Sequence, residues 1–148
     1  MQNIYPYVLI VHLFCAIVLL GYIFFDVVIF NRLRGVLGDD FDRVKQAIGQ
    51  KAVKIMPLML LLLILTGGMM MSSWVGSKAG GYFQTSLQQI FMAKVILAFA
   101  IFVLVSYSLS MKIIFKKQPV KFIKDYIHHI ALLFGFFIVL FAKIMYLV

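Results

Sequence analysis

The stretch that most constrains this chain is an apolar run of 27 residues from Ile4 to Phe30, in which Asp26 is the only fully charged side chain. A helix needs about 20 apolar residues to cross the hydrocarbon core of a bilayer. The run therefore predicts a transmembrane helix. It is too long for the hydrophobic region of a signal peptide and has no basic segment before it, so we expect it to remain in the mature protein.

Three further apolar blocks follow and predict transmembrane helices over about residues 55–74, 87–115 and 122–148, after the first over about 4–30. A chain that is 64% hydrophobic, with a mean hydropathy of +1.06, is too apolar for an ordinary soluble domain. The sequence therefore predicts an all-α protein. We expect a four-helix transmembrane bundle that forms one membrane domain over residues 1–148.

Residues 40–54 connect the first two blocks and carry apolar side chains at three- and four-residue spacing among basic ones. The pair Asp39 and Asp40 is a typical N-cap signal. This pattern predicts an amphipathic basic helix at the cytoplasmic membrane surface. Two interpretations are open at Pro57: the helix runs on into the second transmembrane helix with a kink, or Pro57 begins a new helix.

Basic residues are concentrated in two of the three connections between the apolar blocks, and the chain carries a net charge of +9. By the positive-inside rule, both termini face outside and loops 1 and 3 face the cytoplasm. At these positions the basic residues predict contacts with membrane lipid rather than with nucleic acid. The middle connection has only Lys78. The basic residues of the two cytoplasmic loops are Arg32, Arg34, Arg43, Lys45, Lys51 and Lys54, then Lys112, Lys116, Lys117, Lys121 and Lys124.

The first helix contains two ionisable residues, His12 and Asp26, which are 14 residues apart and so lie within roughly 40° of one helix face. The same face continues through Val8, Cys15 and Tyr22. Because ionisable groups inside a membrane are costly, they indicate a functional site by default. For Asp26, an ion pair with Arg32 or Lys54 at the cytoplasmic surface is an equally good explanation.

The predicted topology assigns a depth to each ionisable side chain. Lys94 lies early in the third helix at the depth of His12, so we expect the two to share an outer pocket. His128 and His129 lie near the cytoplasmic end of the fourth helix, at the depth of Asp26. At a rise of about 1.5 Å per residue, His12 and His128 are roughly 18 Å apart along the membrane normal, too far to ligate the same iron.

The adjacent histidines of the fourth helix differ in their surroundings. His128 shares its side with small residues, which suit a close helix contact or a flat ligand: Ala131, Gly135 and Ala142. We therefore expect His128 rather than His129 to face inward, and any haem iron there to take its other ligand at the same depth. A purely interfacial role for both histidines is equally open.

Two other interpretations remain open beside a haem site. The thioethers of residues 69–71, with Met92 at a similar depth, are soft ligands that suit Cu(I), and His12 is available to such a site as well. The same methionines are also typical apolar filler. The third interpretation is a non-catalytic assembly subunit in which the polar groups only lock helix packing.

Several short motifs are spread along most of the chain: Tyr5-Pro6 before His12, Gly21 with an arginine just beyond the helix, Lys51 to Met56-Pro57 and Gly67 around the second helix, and Lys94 early in the third. Together they resemble the HemJ-type bacterial protoporphyrinogen oxidases, which are related to the membrane domain of copper-resistance D (CopD) proteins. The resemblance implies a multi-pass protein of the bacterial inner membrane that binds haem b. It further implies an oxidoreductase with a porphyrin substrate and a quinone acceptor.

By this resemblance His12 and Lys94 correspond to the histidine of helix one and the lysine of helix three. The chain departs from the family at the end of helix one, where Asp26 stands near the expected Leu-Pro-Arg, and late in helix three, where a histidine is missing. His128 is expected to replace it. The interpretation makes His12 and His128 metal ligands, adds Lys94 and His129 to the cofactor-binding residues, and makes Lys94 and Asp26 catalytic candidates. A homo-oligomer is compatible with it.

Overall fold

The computed structural model describes residues 4–115, 117 and 121–147, without the side chains of Lys112, Lys121, Lys124 and Asp125. Within this part the chain is all-helical, and four helices are long and apolar enough to span a membrane. This confirms the all-α prediction and suggests a multi-pass membrane protein. Lys116, residues 118–120 of the predicted third loop and Val148 at the predicted end of the fourth helix lie outside the described residues.

Large apolar side chains are exposed along the whole length of these helices. Phe14 and Phe99 are each 65% exposed, and Phe136 is 63% exposed. Contiguous apolar surface of this extent is unfavourable in water and is typical of faces that contact lipid or another protein. These exposed side chains agree with helices that span a membrane.

The first span begins as helix α1, Tyr5–Phe24, with Pro6 in its first turn, where a missing N–H is tolerated. The chain then widens into a π-helix at Phe25–Ile29, tightens into a 3-10 helix at Phe30–Leu33 and continues as helix α2, Arg34–Leu37. Gly38, with φ of +52°, ends this path in a conformation that favours glycine. The predicted helix over 4–30 thus ends seven residues before the observed helical path, which runs to Leu37.

Helix α3, Asp40–Met71, begins at the predicted acidic signal, with Asp40 and Asp42 in its first turn. It runs through Pro57 without interruption. The predicted amphipathic helix and second transmembrane helix are therefore one continuous helix, and the alternative of a new helix beginning at Pro57 is wrong. Because proline has no N–H, this helix lacks one backbone hydrogen bond at Pro57.

The chain divides into two compact units, Met1–Gly67 and Gly68–Val148. In the first unit, Phe30 and Phe41 are each 2% exposed, and their rings stack with centroids 4.9 Å apart. This stack fixes the end of the first span against the beginning of α3.

In the second unit, helix α4, Ser86–Ile113, and helix α5, Lys121–Ile144, pack along each other. A core of Val75, Phe91 and Met145 lies where the start of α4 meets the end of α5. Beside it, the rings of Trp74 and Tyr146 meet edge to face at 5.8 Å. The two helices are therefore antiparallel neighbours, as the short connection between them predicts.

A glycine-rich loop precedes α4 and is closed by paired backbone hydrogen bonds between Gly76 and Gly81. Gln88, buried at 4% exposure, reaches back to this loop: its Nε2 donates to the carbonyl of Ala79 at 2.8 Å, and its Oε1 accepts from the backbone N–H of Gln84 at 3.0 Å. Thr85 caps α4 by accepting from the N–H of Gln88. The buried amide thus attaches the loop to the first turn of the helix.

Candidate functional site

The predicted haem ligand of the first span, His12, is hydrogen-bonded to α3. Its Nδ1 lies 2.9 Å from Oγ1 of Thr66, a residue 54 positions further along the chain. Thr66 is buried at 8% exposure, and His12 is half-buried. A histidine within an apolar span thus has a polar partner on the neighbouring span, which offsets part of the cost of its burial.

The direction of this hydrogen bond follows from counting protons. The Thr66 hydroxyl has one proton, and Oγ1 lies 2.6 Å from the carbonyl of Leu62 and 3.2 Å from that of Leu63, neither of which can donate. The hydroxyl therefore donates to its own helix, and its oxygen accepts from Nδ1–H of His12. In a neutral imidazole this tautomer carries its lone pair on Nε2, the atom that a metal would need.

Gly67, the residue after Thr66, lets the imidazole lie directly against the backbone of α3. A Cβ built on Gly67 would be 3.1 Å from Cε1 of His12, which is tighter than nine in ten Cβ contacts in proteins, and 3.7 Å from its Nδ1, which is an ordinary van der Waals distance. Any larger residue would displace the ring. Thr66 and Gly67 therefore form a matched pair, one holding the ring by a hydrogen bond and the other leaving room for it.

Thr66 is absent from the residues that the sequence analysis singles out, although a signal for it exists. It is the only hydroxyl-bearing side chain between Pro57 and Met71, in a run that is otherwise aliphatic, glycine or methionine. A lone hydroxyl in an apolar span is a common hydrogen-bond partner for a polar group on the next helix. The sequence does not determine how α3 is rotated about its axis, and this rotation turns the hydroxyl toward His12.

The other polar residue of the first span, Asp26, is buried at 7% exposure inside the π-helical turn. The half-buried Tyr22 precedes it by four residues. In the described part of the chain, no fully buried side-chain nitrogen or oxygen lacks a hydrogen-bond partner. Turns of π-helix often occur at functional sites, so the position agrees with a functional residue. Its catalytic role and its predicted pairing with Arg32 or Lys54 stay predictions.

Lys94 belongs to the second unit and lies over an aromatic ring of its own helix. Its Nζ is 4.6 Å from the ring centroid of Phe91, which is 5% exposed. A cation at this distance over a ring is stabilised by the negative face of the π system. The lysine head is thereby held close to the buried core of this unit, and the outer pocket predicted for Lys94 and His12 stays a prediction.

The two histidines of α5 are in different environments. His129 is exposed, with its ring 6.2 Å from that of Tyr126, whereas His128 is half-buried. The small residues predicted on the side of His128 belong to the less exposed side of α5, and Ala131 among them is 3% exposed. His128 is thus the less exposed of the pair, and its role as a ligand stays a prediction.

Methionines gather around the core of the second unit. Met145 is 2% exposed, and Met71 and Met92 pack against the same cluster. Met145 was not among the predicted soft ligands, whereas Met69, which was, is 55% exposed. The packing agrees with apolar filler, and it also brings three thioethers into one neighbourhood.

No protein-family model, curated protein or solved structure matches this chain. Among the described residues, no three His, Cys, Asp or Glu side chains come together as a metal-ligand group. A haem iron needs only one or two axial ligands from the protein, so a single oriented histidine is a sufficient starting point.

Proposed function

We propose that this chain is a haem b-binding oxidoreductase of the bacterial inner membrane, of the HemJ type, with His12 as an axial ligand. Both termini face outside, and the basic loops face the cytoplasm. The observation that carries the proposal is the hydrogen bond from Nδ1–H of His12 to Thr66. Metal-ligating histidines almost always donate their second ring N–H in this way, which fixes the tautomer and the ring orientation.

The chemistry of the donor set fits a haem. A neutral imidazole with its lone pair on Nε2 is the usual proximal ligand of b-type haem. Because Gly67 has no side chain, the imidazole can lie close to the backbone of α3, and Thr66 holds it there by a hydrogen bond.

Other residues supply positioning and charge. Lys94 would attract a propionate or another carboxylate of a porphyrin, since its ammonium is a compact point charge. Asp26, buried at the other end of the first span, would take up or release a proton, and His128 would ligate or carry protons at that side. When bound, haem supplies one-electron chemistry, and the protein tunes its potential through ligand identity and burial. A quinone would accept the electrons from a porphyrinogen substrate.

The test is the visible spectrum of the gently purified protein, produced with ample haem and measured oxidised and then reduced with dithionite. We expect a Soret band with b-type α and β bands, which His12→Ala removes. The matched control is Leu13→Ala, which truncates the next residue of α1, an exposed leucine, and should retain the bands. Full haem occupancy in His12→Ala would remove His12 from the proposal, and a featureless wild-type spectrum would overturn haem binding.

The methionine cluster supports a second candidate, a copper-handling membrane protein. Met71, Met92 and Met145 pack at one core, and thioethers are ligands that select Cu(I). Under this alternative the protein retains copper after Cu(I) loading and washing, and the triple variant with leucine at these three positions does not. Absence of retained copper in the wild type would leave the methionines as apolar packing. If neither haem nor copper is retained, a non-catalytic assembly subunit is the remaining candidate.

A further inference from the structure

The end of the first span carries two cationic side chains on one buried aromatic ring. Cζ of Arg34 lies 4.6 Å from the ring centroid of Phe41, and Nζ of Lys45 lies 5.8 Å from the same centroid. Phe41 is in turn stacked on Phe30. Two cations are therefore held over a rigid platform that two different helices build.

The two distances to the Phe41 ring set an upper limit on the separation of the two charges. Because both are measured from the Phe41 centroid, Cζ of Arg34 and Nζ of Lys45 cannot be more than about 10 Å apart. Like charges at this separation repel, and an anion between them relieves that repulsion. Arg43, in the same region, lies 3.2 Å from Asp40 and so already has an anionic partner. Arg34 and Lys45 are thus the pair best placed to bind an external anion.

The surroundings of the pair indicate an anion that is attached to an apolar group. Leu33 and Val36 flank Arg34 and are 37% and 82% exposed. They continue the exposed apolar surface of the span Tyr5–Leu37. A ligand that contacts both the cations and these side chains needs a charged head and a hydrocarbon part.

We propose that Arg34 and Lys45, supported by Phe41 and Phe30, bind the phosphodiester headgroup of an anionic phospholipid. The guanidinium of Arg34 can bind two phosphate oxygens at once, and Lys45 adds a second positive charge. Leu33 and Val36 contact the start of the acyl chains. The inference rests on the membrane placement proposed above and is independent of haem binding.

The experiment measures lipid binding to the full chain in detergent by native mass spectrometry, with phosphatidylglycerol and phosphatidylcholine as probes. The double variant Arg34→Gln with Lys45→Gln is compared with Lys51→Gln plus Lys54→Gln, which removes the same charge from two exposed positions further along α3. We expect the first to weaken phosphatidylglycerol binding about 30-fold, the second to change it much less, and phosphatidylcholine binding to stay the same in both.

Equal losses in the two double variants would overturn the site, because they would reflect overall charge alone. Displacement of phosphatidylglycerol by excess inorganic phosphate would overturn the lipid assignment in favour of a free phosphate site. Phe41→Leu, which keeps both cations but removes the ring, should give a smaller loss. Circular dichroism of each variant checks that it is folded, and the haem spectrum of the wild-type protein separates the two proposals. A wild-type protein that binds haem but does not prefer phosphatidylglycerol to phosphatidylcholine refutes only this inference, and one that shows the preference without haem refutes only the haem proposal.

Discussion

Nδ1–H of His12 donates a hydrogen bond to Oγ1 of Thr66, and the hydroxyl of Thr66 donates a hydrogen bond to the carbonyl of Leu62. The chain of two hydrogen bonds joins the first span to the backbone of α3. It sets which nitrogen of the imidazole carries the lone pair. Thr66, in the second span, therefore determines which nitrogen of His12, in the first span, can act as a ligand.

Removing the Thr66 hydroxyl should weaken the binding of haem by His12. Thr66→Val keeps the shape of the side chain but leaves Nδ1–H without its acceptor, so we expect haem affinity to fall about tenfold or more. Haem titration followed at the Soret band measures this. Thr66→Ser keeps the hydroxyl and serves as the control. Equal affinities in the valine variant and the wild type would show that the hydrogen bond does not support ligation.

Gly67→Ala and Gly68→Ala should have different effects, although they are neighbours in one helix. Alanine in place of helical glycine gains up to about 1 kcal/mol. A Cβ at Gly68 meets nothing within 4 Å, so this variant should be more stable, whereas a Cβ at Gly67 meets Cε1 of His12 at 3.1 Å and should lose the gain. Thermal unfolding followed by circular dichroism compares them.

The same pair also tests the site directly. Gly67→Ala should shift or weaken the haem bands because the ring of His12 must move, and Gly68→Ala should leave them unchanged. An identical spectrum and an identical gain in stability for both variants would contradict the close approach of His12 to α3.

Phe41→Ala should destabilise the protein far more than Phe14→Ala. Phe41 is 2% exposed and stacks on Phe30, whereas Phe14 is 65% exposed. Truncating a buried phenylalanine costs about 3 kcal/mol or more, since the removed ring leaves a cavity. The midpoint of thermal or denaturant unfolding in the same detergent measures the difference. A larger effect of Phe14→Ala would mean that this exposed face packs against another chain.

Gln88→Leu should loosen the glycine-rich loop before α4. The substitution leaves the carbonyl of Ala79 and the N–H of Gln84 without the partner that Gln88 provides, and such losses cost about 1–3 kcal/mol each when buried. Hydrogen exchange should therefore accelerate over residues 76–84. Gln89→Leu is the control, because Gln89 is exposed and its amide donates to the carbonyl of Phe83. Equal exchange in the two variants would show that the loop is held by other contacts.

Features that depend on neighbouring residues along the chain are predictable from the sequence. The four apolar helices, the start of α3 at the Asp40 signal and the less exposed face through Cys15 and Asp26 follow from length, hydropathy and helical period. The π-helical turn at Phe25–Ile29 is not predictable in this way, because no residue type there requires it. At Pro57 the sequence leaves two outcomes open, since proline both begins helices and is tolerated within them when neighbouring groups compensate.

By itself, the sequence determined that this protein is helical and long enough in four places to span a membrane, because hydrophobicity and backbone hydrogen bonding act locally. It also placed His12, an ionisable residue, inside an apolar helix, where its burial is energetically unfavourable and therefore indicates a functional site. Only the tertiary structure decided that His12 bonds to Thr66 and lies against Gly67, and that Phe41 stacks on Phe30. These pairings depend on how far each helix is rotated and shifted against its neighbour, and a periodic apolar pattern leaves that rotation undetermined.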